Sequence, residues 1–375
     1  FILNFMLIDC DKVILLSDGS KYYGFGKGYN HIMSGELCFN TSLTGYQHTI
    51  SDPSYANQII VFANTHIGNI GANNFDYERE FIGLKGIVVC CDPITGHHHE
   101  CNEDFEKFLI RNKIPLVYGI DTRGLIRKLV KNGVQKAVIA NIDDNQTKIE
   151  KYLEETPSMN GMEIARSISL KELPNKYTNF SKEKSNKKRI ALIDFGTKYS
   201  IIDNLENIGC EVVILGAQSD FANTINENYF DGVVLSNGPG DPLATAEYTT
   251  PQILSLIAMN IPIFAICLGH QLLAISLGMK TIKMHTGHRG TNHPVYSIKR
   301  DLVEITSQNH GFVVDSAVVP DNVEITHYSL FDNTIEGIKL KNKPVSSVQY
   351  HPEAGAGTND SIYLFNDFLY EISNR

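Results

Sequence analysis

Beyond residue 189 the sequence alternates between short apolar runs and segments with helical spacing. Four apolar runs carry the pattern, at 189–195, 211–216, 231–236 and 261–267. This alternation predicts an α/β fold, with a mostly parallel sheet covered by helices on both faces. Ligands bind such sheets beyond the carboxyl ends of the strands. We therefore expect the functional site at the turns that follow two of these strands, at 236–241 and at Cys267.

Length and local composition predict two domains joined by a linker. A chain of 375 residues is long enough for two or three domains of about 150 residues. Residues 171–188 are polar and rich in lysine, which is typical of a linker. We therefore expect a first α/β domain at 1–170, with helical spacing at 103–112 and 122–133, and a second domain at 189–375.

Composition argues against several partners. The net charge of −9 and the pI near 5.8 oppose nucleic-acid binding. No apolar stretch reaches the roughly 18 residues that a membrane span needs, and the first residues lack the basic start and cleavage site of a signal peptide. Seven scattered cysteines favour reduced thiols and a cytoplasmic protein. The histidines at 97–99 cannot share one face, so we interpret 96–101 as a polar loop and expect no metal site.

Cys267 stands where an apolar strand must turn sharply into the helix that starts at Leu268. Such a turn lifts a nucleophile out of the sheet and into the cleft. The N–H groups at the start of the helix favour a thiolate, and the N–H of Leu268 can meet a developing oxyanion. Gly269 keeps the turn free of side chains. The position indicates a nucleophilic cysteine.

A cysteine nucleophile needs a base, and His351 is the best candidate among the 13 histidines. It follows a strand-like segment, and in an extended stretch Glu353 faces the same side and can orient the ring. His270 is expected to brace the sheet rather than meet the thiol. His310 could line a pocket.

The glycine turn at 235–242 has neither phosphate-loop nor dinucleotide-binding spacing. It is either a plain strand-to-helix turn or a backbone wall whose N–H groups approach a substrate carbonyl.

Three stretches, SNGPGDP, ICLGHQLLA and QYHPEA, together resemble the class I glutamine amidotransferases. The resemblance implies that Cys267 attacks the side-chain amide of glutamine to form a thioester, with His351 as base and Glu353 as its orienter. Ammonia and glutamate are the implied products. Ala265 replaces a usual glycine before the nucleophile, and the tail after Glu353 differs from the family pattern.

The first half adds a narrower resemblance, to the small subunit of carbamoyl phosphate synthetase. It is carried mainly by segments 39–55, 66–74 and 119–125, and also by 160–165. In the second half, GHRGTNHPV and SQNHGFVVD add to it. This resemblance implies a set of residues that contact glutamine: Ser42, Gly238, Gly240, Leu268, Gln271, Asn309, Gly311 and Phe312. The N–H groups of Gly238 and Leu268 would serve the oxyanion.

The implied function is glutamine hydrolysis that supplies ammonia for carbamoyl phosphate synthesis. ATP and bicarbonate would act on a separate large subunit, docked mainly by the first domain, and this chain would need no cofactor of its own. One alternative is the amidotransferase subunit of another synthase, such as that for anthranilate. A second alternative is a catalytically silent regulatory scaffold, but such a chain would be expected to have lost Cys267 or His351.

Overall fold

The computed structural model describes residues 10–93, 96, 98–171 and 186–374, which divide into two compact units. The first unit ends at Met159. Two short stretches before that point, Asp52–Ser54 and Glu78–Phe81, belong to the second unit together with the chain from Asn160 onward. The division into 1–170, a linker at 171–188 and 189–375 stays a prediction, and residues 172–185 of that linker lie outside the described residues.

The first unit is built on a closed barrel of seven strands. The strands are β1 Lys12–Leu16, β2 Lys21–Gly28, β3 Met33–Asn40, β4 Gln58–Phe62, β5 Gly86–Val88, β6 Pro115–Tyr118 and β7 Gln135–Asn141. The helices are α1 Tyr46–Ser51, α2 Phe105–Arg111, α3 Thr122–Asn132 and α4 Gln146–Glu155, and a 3₁₀ turn lies at Pro53–Tyr55.

The barrel order is β1-β2-β6-β5-β4-β3-β7, and antiparallel pairing of β1 with β7 closes it. Strands β3 to β6 pair in parallel, whereas the other pairs are antiparallel. The helices predicted at 103–112 and 122–133 are α2 and α3, with ends within two residues of the prediction. Asp104 and Asp121 cap them by accepting backbone N–H bonds, and Gly133, whose φ is 86°, caps the end of α3.

The second unit contains a nine-stranded sheet with helices on both faces. Its strands are β8 Arg189–Asp194, β9 Glu211–Gly216, β10 Gly232–Leu235, β11 Ile263–Ile266, β12 Thr281–Ser297, β13 Leu302–Val314, β14 Val323–Ser329, β15 Ile335–Leu340 and β16 Val345–Val348. Its helices are α5 Ala165–Ile168, α6 Tyr199–Asn207, α7 Phe221–Glu227, α8 Pro242–Ala258, α9 Leu268–Ser276 and α10 Tyr363–Ser373.

The sheet order is β13-β12-β14-β15-β16-β11-β10-β8-β9. The pairs from β16 to β9 are parallel, as the alternating pattern predicts, and an antiparallel half formed by β12 to β15 extends the sheet. The α/β fold class is confirmed. The antiparallel half escaped prediction because its long strands carry mixed polar and apolar residues without clear alternation.

The parallel strands are buried on both faces, which explains their continuous apolar runs. In β8, Ala191 and Ile193 pack into a cluster with α7, α8 and α9. Their neighbours Ile190 and Leu192 pack into the opposite cluster with α6 and α10. Among the described residues, no helix combines the length and apolar character needed to cross a membrane.

Candidate active site

The turn at Cys267 has the geometry that the sequence predicts. Strand β11 ends at Ile266, helix α9 begins at Leu268, and Cys267 between them has φ 53° and ψ −104°. A positive φ is strained for a residue with a side chain. Gly269 allows the turn, because a Cβ at that position would lie 2.3 Å from the backbone oxygen of Leu235. The local sequence therefore presents the cysteine at the carboxyl end of the parallel sheet.

The thiol is buried, with one backbone oxygen close to it. Cys267 is 3% exposed, and its Sγ lies 3.7 Å from the backbone oxygen of Asn309 on β13. The backbone N–H of Cys267 donates to Val348 of β16 at 2.9 Å. Because the first N–H groups of a helix have no partner within it, the start of α9 favours negative charge beside the thiol.

His351 and Glu353 form a buried pair just beyond β16. Nδ1 of His351 lies 2.6 Å from Oε1 of Glu353. Burial disfavours the charged imidazolium, but the Glu353 carboxylate and Cys267 outweigh burial and raise the pKa of His351 to about 10. The structure thus brings Cys267, His351 and Glu353 together and favours a protonated ring beside the sulfur. Their catalytic roles are taken up below as a proposal.

Lys198 is a member of this cluster that the sequence analysis did not identify. Its Nζ lies 3.0 Å from Oε1 of Glu353 and 3.0 Å from the backbone oxygen of Ala354. Burial would raise the pKa of Glu353, but the Lys198 ammonium and the His351 ring outweigh burial and lower it to about 2. Its position in the sequence could have identified it, since Lys198 follows the carboxyl end of β8, at the same edge of the sheet as Cys267.

The other two histidines considered as bases lie elsewhere. Nδ1 of His270 lies 2.8 Å from Oγ of Ser347, and burial lowers the pKa of His270 to about 3. His270 thus braces α9 against β16, as expected. Both ring nitrogens of His310 have partners within β13, the backbone oxygen of Phe312 and the side chain of Gln308. Burial lowers the pKa of His310 well below its ordinary value.

The predicted glutamine-binding residues of the second unit lie in the loop after β10, on α9 and on β13. Gly238 lies close to β8, since a Cβ there would be 2.4 Å from the backbone oxygen of Phe195. Gly240 has φ 101° and forms an isolated bridge with Glu163. Leu268, at the start of α9, is buried.

The amide side chains near the turn are held by named partners. Gln271 donates to the backbone oxygen of Phe312 at 2.8 Å, so it fixes the segment that also contains Gly311. Asn309 donates to Oδ2 of Asp52 at 2.7 Å. Asp52 is a second residue that the sequence analysis missed, because it lies 257 positions away from Asn309 in the chain.

Ser42 belongs to the first unit. It is buried, and its backbone N–H donates to Oδ1 of Asn40 at 2.7 Å. Its predicted contact with glutamine stays a prediction.

Two groups of described side chains contain metal-ligand types. His98, His99 and Glu100 are exposed, and His97 of the same predicted polar loop lies outside the described residues. The second group, His288, His310 and Glu336, is buried. Within it, the Nδ1 of His288 lies 3.4 Å from Oε1 of Glu336, as in an ion pair. The expected absence of a bound metal stays a prediction.

Comparison with known families assigns both units. Residues 191–370 match the family described as glutamine amidotransferase class-I. The second unit therefore contains a class I glutamine amidotransferase domain. Residues 14–139 match the carbamoyl-phosphate synthase small chain, CPSase domain.

Full-length relatives agree with this assignment. The carbamoyl phosphate synthase small chain of Zymomonas mobilis is 42% identical, over 96% of this chain and 100% of that protein. The small chain of Brucella canis is 41% identical over 97% and 92%. A solved glutamine amidotransferase from Thermotoga maritima is 18% identical with a TM-score of 0.36, over 51% of this chain and 87% of that one. The chain belongs to the carbamoyl phosphate synthase small chain family and is the glutamine amidotransferase component of that enzyme.

Proposed function

We propose that Cys267, His351 and Glu353 hydrolyse glutamine and that the ammonia passes to a separate large subunit for carbamoyl phosphate synthesis. One observation carries the proposal: a cysteine held at positive φ at a strand-to-helix turn lies beside a histidine–carboxylate pair with a 2.6 Å contact. ATP and bicarbonate would act on the large subunit, and this chain would need no cofactor. The seven cysteines scattered along the sequence support a cytoplasmic setting.

In the proposed mechanism the Cys267 thiolate attacks the side-chain carbonyl carbon of glutamine. The N–H groups of Leu268 and Gly238 receive the negative charge that develops on the carbonyl oxygen. His351 gives its proton to the leaving nitrogen, so ammonia departs and a thioester remains. His351 then takes a proton from water, which attacks the thioester and releases glutamate and the thiolate.

The electrostatics of the site support this sequence of proton transfers. A raised pKa of about 10 keeps His351 protonated near neutral pH, and a protonated ring stabilises the thiolate. Glu353 holds the proton on Nδ1 and leaves Nε2 for the sulfur and the substrate. The family assignment argues against a synthase for anthranilate, and the assembled triad argues against a silent scaffold.

Replacement of the nucleophile tests the proposal. Cys267→Ala is expected to lower glutamine hydrolysis about 10⁴-fold or more, while glutamine binding measured by calorimetry persists, because other groups hold the substrate. Cys210→Ala changes another buried cysteine of the same unit and is the matched control. Hydrolysis near the wild-type rate in Cys267→Ala would remove the assignment.

The predicted role of Ser42 has a separate test. If its hydroxyl binds glutamine, Ser42→Ala should raise KM about 2- to 10-fold with little change in kcat, as expected for one neutral hydrogen bond. Steady-state kinetics at saturating ATP and bicarbonate, with the large subunit present, measures both constants. An unchanged KM would exclude Ser42 from the site.

A further inference from the structure

We propose that Glu78 is a positioning residue for glutamine hydrolysis, acting through Lys198 on the Glu353–His351 pair. The inference rests on the function proposed above. Glu78 comes from the first half of the chain, 120 positions before Lys198, and belongs to the second unit although the chain on either side of Glu78–Phe81 belongs to the first.

The short segment around Glu78 is firmly held within the second unit. The guanidinium of Arg79 makes two bonds to the carboxylate of Asp194, at 2.9 and 3.0 Å, and both side chains are fully buried. The backbone N–H of Tyr199 donates to the backbone oxygen of Glu78 at 2.8 Å. Two-point binding of this kind fixes orientation as well as position. The carboxylate of Glu78 is therefore delivered to a defined place.

The carboxylate of Glu78 contacts Ser200 and Lys198. One oxygen of Glu78, Oε2, accepts bonds from the hydroxyl and backbone N–H of Ser200, at 2.8 and 3.2 Å. The other, Oε1, lies 3.3 Å from Nζ of Lys198. Gly355 makes room for this carboxylate, because a Cβ there would lie 1.9 Å from Oε1.

Lys198 therefore donates two hydrogen bonds and forms an ion pair with a third group. The three groups are the carboxylates of Glu353 and Glu78 and the backbone oxygen of Ala354. Without the negative charge of Glu78, the ammonium would be drawn more strongly to Glu353. The interaction between Glu353 and His351 would then weaken, and the protonated His351 ring beside the sulfur would be less stable. Three successive contacts thus link Glu78 to the imidazole, through Lys198 and Glu353.

Among the described residues, the charged groups that act on Glu78 include Lys198, Glu353 and Asp52, and the Ser200 hydroxyl also contacts it. Burial raises the pKa of Glu78, the Lys198 ammonium and Ser200 act in the opposite direction, and the result is a pKa of about 7. The negative charge that holds Lys198 is thus present at pH 8.5 and absent at pH 6.

Glu78→Gln tests the inference, because it preserves shape and removes the charge. At pH 8.5 we expect the kcat of Glu78→Gln to be about tenfold below that of the wild type. At pH 6 the two kcat values should become nearly equal. The KM for glutamine should stay within about threefold of the wild-type value at both pH values. The rate at which iodoacetamide alkylates Cys267 should show the same pH-dependent difference. Glu304→Gln is the control: this buried carboxylate of the second unit bonds Arg300 and Ser361 instead, and we expect wild-type kcat.

A ratio of kcat values that is constant across pH would overturn the inference, because a purely structural defect does not follow the titration of Glu78. Should Glu78→Gln fail to fold, Ser200→Ala gives the same test. It removes a bond that favours the carboxylate, so the alkaline rise in kcat should move to higher pH, and no movement would overturn the inference. Activity in Cys267→Ala would instead refute the proposed function, whatever Glu78 does.

Discussion

Two clusters of the second unit each pair a buried histidine with carboxylates. In one, His351 lies 2.6 Å from Glu353. In the other, His288 lies 2.9 Å from Asp332 and 3.4 Å from Glu336. In both, burial disfavours the imidazolium but the carboxylates outweigh it, and the pKa rises to about 10 for His351 and about 9 for His288.

The clusters differ in what lies beside the ring. His351 lies beside Cys267 at a strained turn, at the start of a helix. His288 packs against the rings of His293 and His310, whose centroids lie 5.2 and 5.0 Å away. An imidazolium–carboxylate pair is thus a stabilising contact in one place and proposed catalytic machinery in the other. Both histidines have a raised pKa, so the feature that distinguishes the proposed catalytic pair is the neighbouring cysteine.

The largest expected effect separates the two histidines directly. His351→Asn should lower kcat for glutamine hydrolysis about 10³-fold or more, because the ring moves protons in both steps. His288→Asn, the matched change in the other cluster, should leave kcat within about threefold. A severe loss in His288→Asn with a mild one in His351→Asn would reverse the comparison.

A smaller loss of activity is expected when Glu353 is replaced. Glu353→Gln should lower kcat about 10- to 100-fold, since Glu353 orients the ring without touching the substrate. Loss of the negative charge also lowers the pKa of His351, so the alkaline limb of the kcat/KM profile should move to lower pH. Glu336→Gln is the counterpart in the other cluster, and we expect an unshifted profile. Matching shifts in both variants would contradict local action of Glu353.

The last expected effect concerns stability and leaves the catalytic rate unchanged. The pKa of His288 is raised in the folded protein from its ordinary 6.5 to about 9. The stabilisation is therefore fully present below pH 6.5 and is lost as pH rises through 9, and it amounts to about 3 kcal/mol. Urea unfolding at pH 6 and pH 9.5 should show this loss in the wild type and less of it in His288→Asn. Equal pH dependence in both would show that His288 does not contribute in this way.

The sequence was most informative where a function depends on neighbours in the chain. The apolar runs of β8 and β11, the turn at Cys267 and the pairing of His351 with Glu353 were all predicted, because each follows from the conformation of a few consecutive residues. Lys198 and Asp52 were missed for the opposite reason. Each is an ordinary charged residue directly before a helix, and becomes part of the site only through distant partners, Glu353 and Asn309.

By itself the sequence determined the alternating strands and helices, the place where a cysteine must leave the sheet, and the residues able to act with it. Backbone geometry and side-chain periodicity are local, so a single segment reveals them. Only the tertiary structure decided that β1 and β7 close a barrel and that Glu78 and Lys198 meet in one buried cluster. Strand pairing and the balance between burial and charge depend on which distant segments come together.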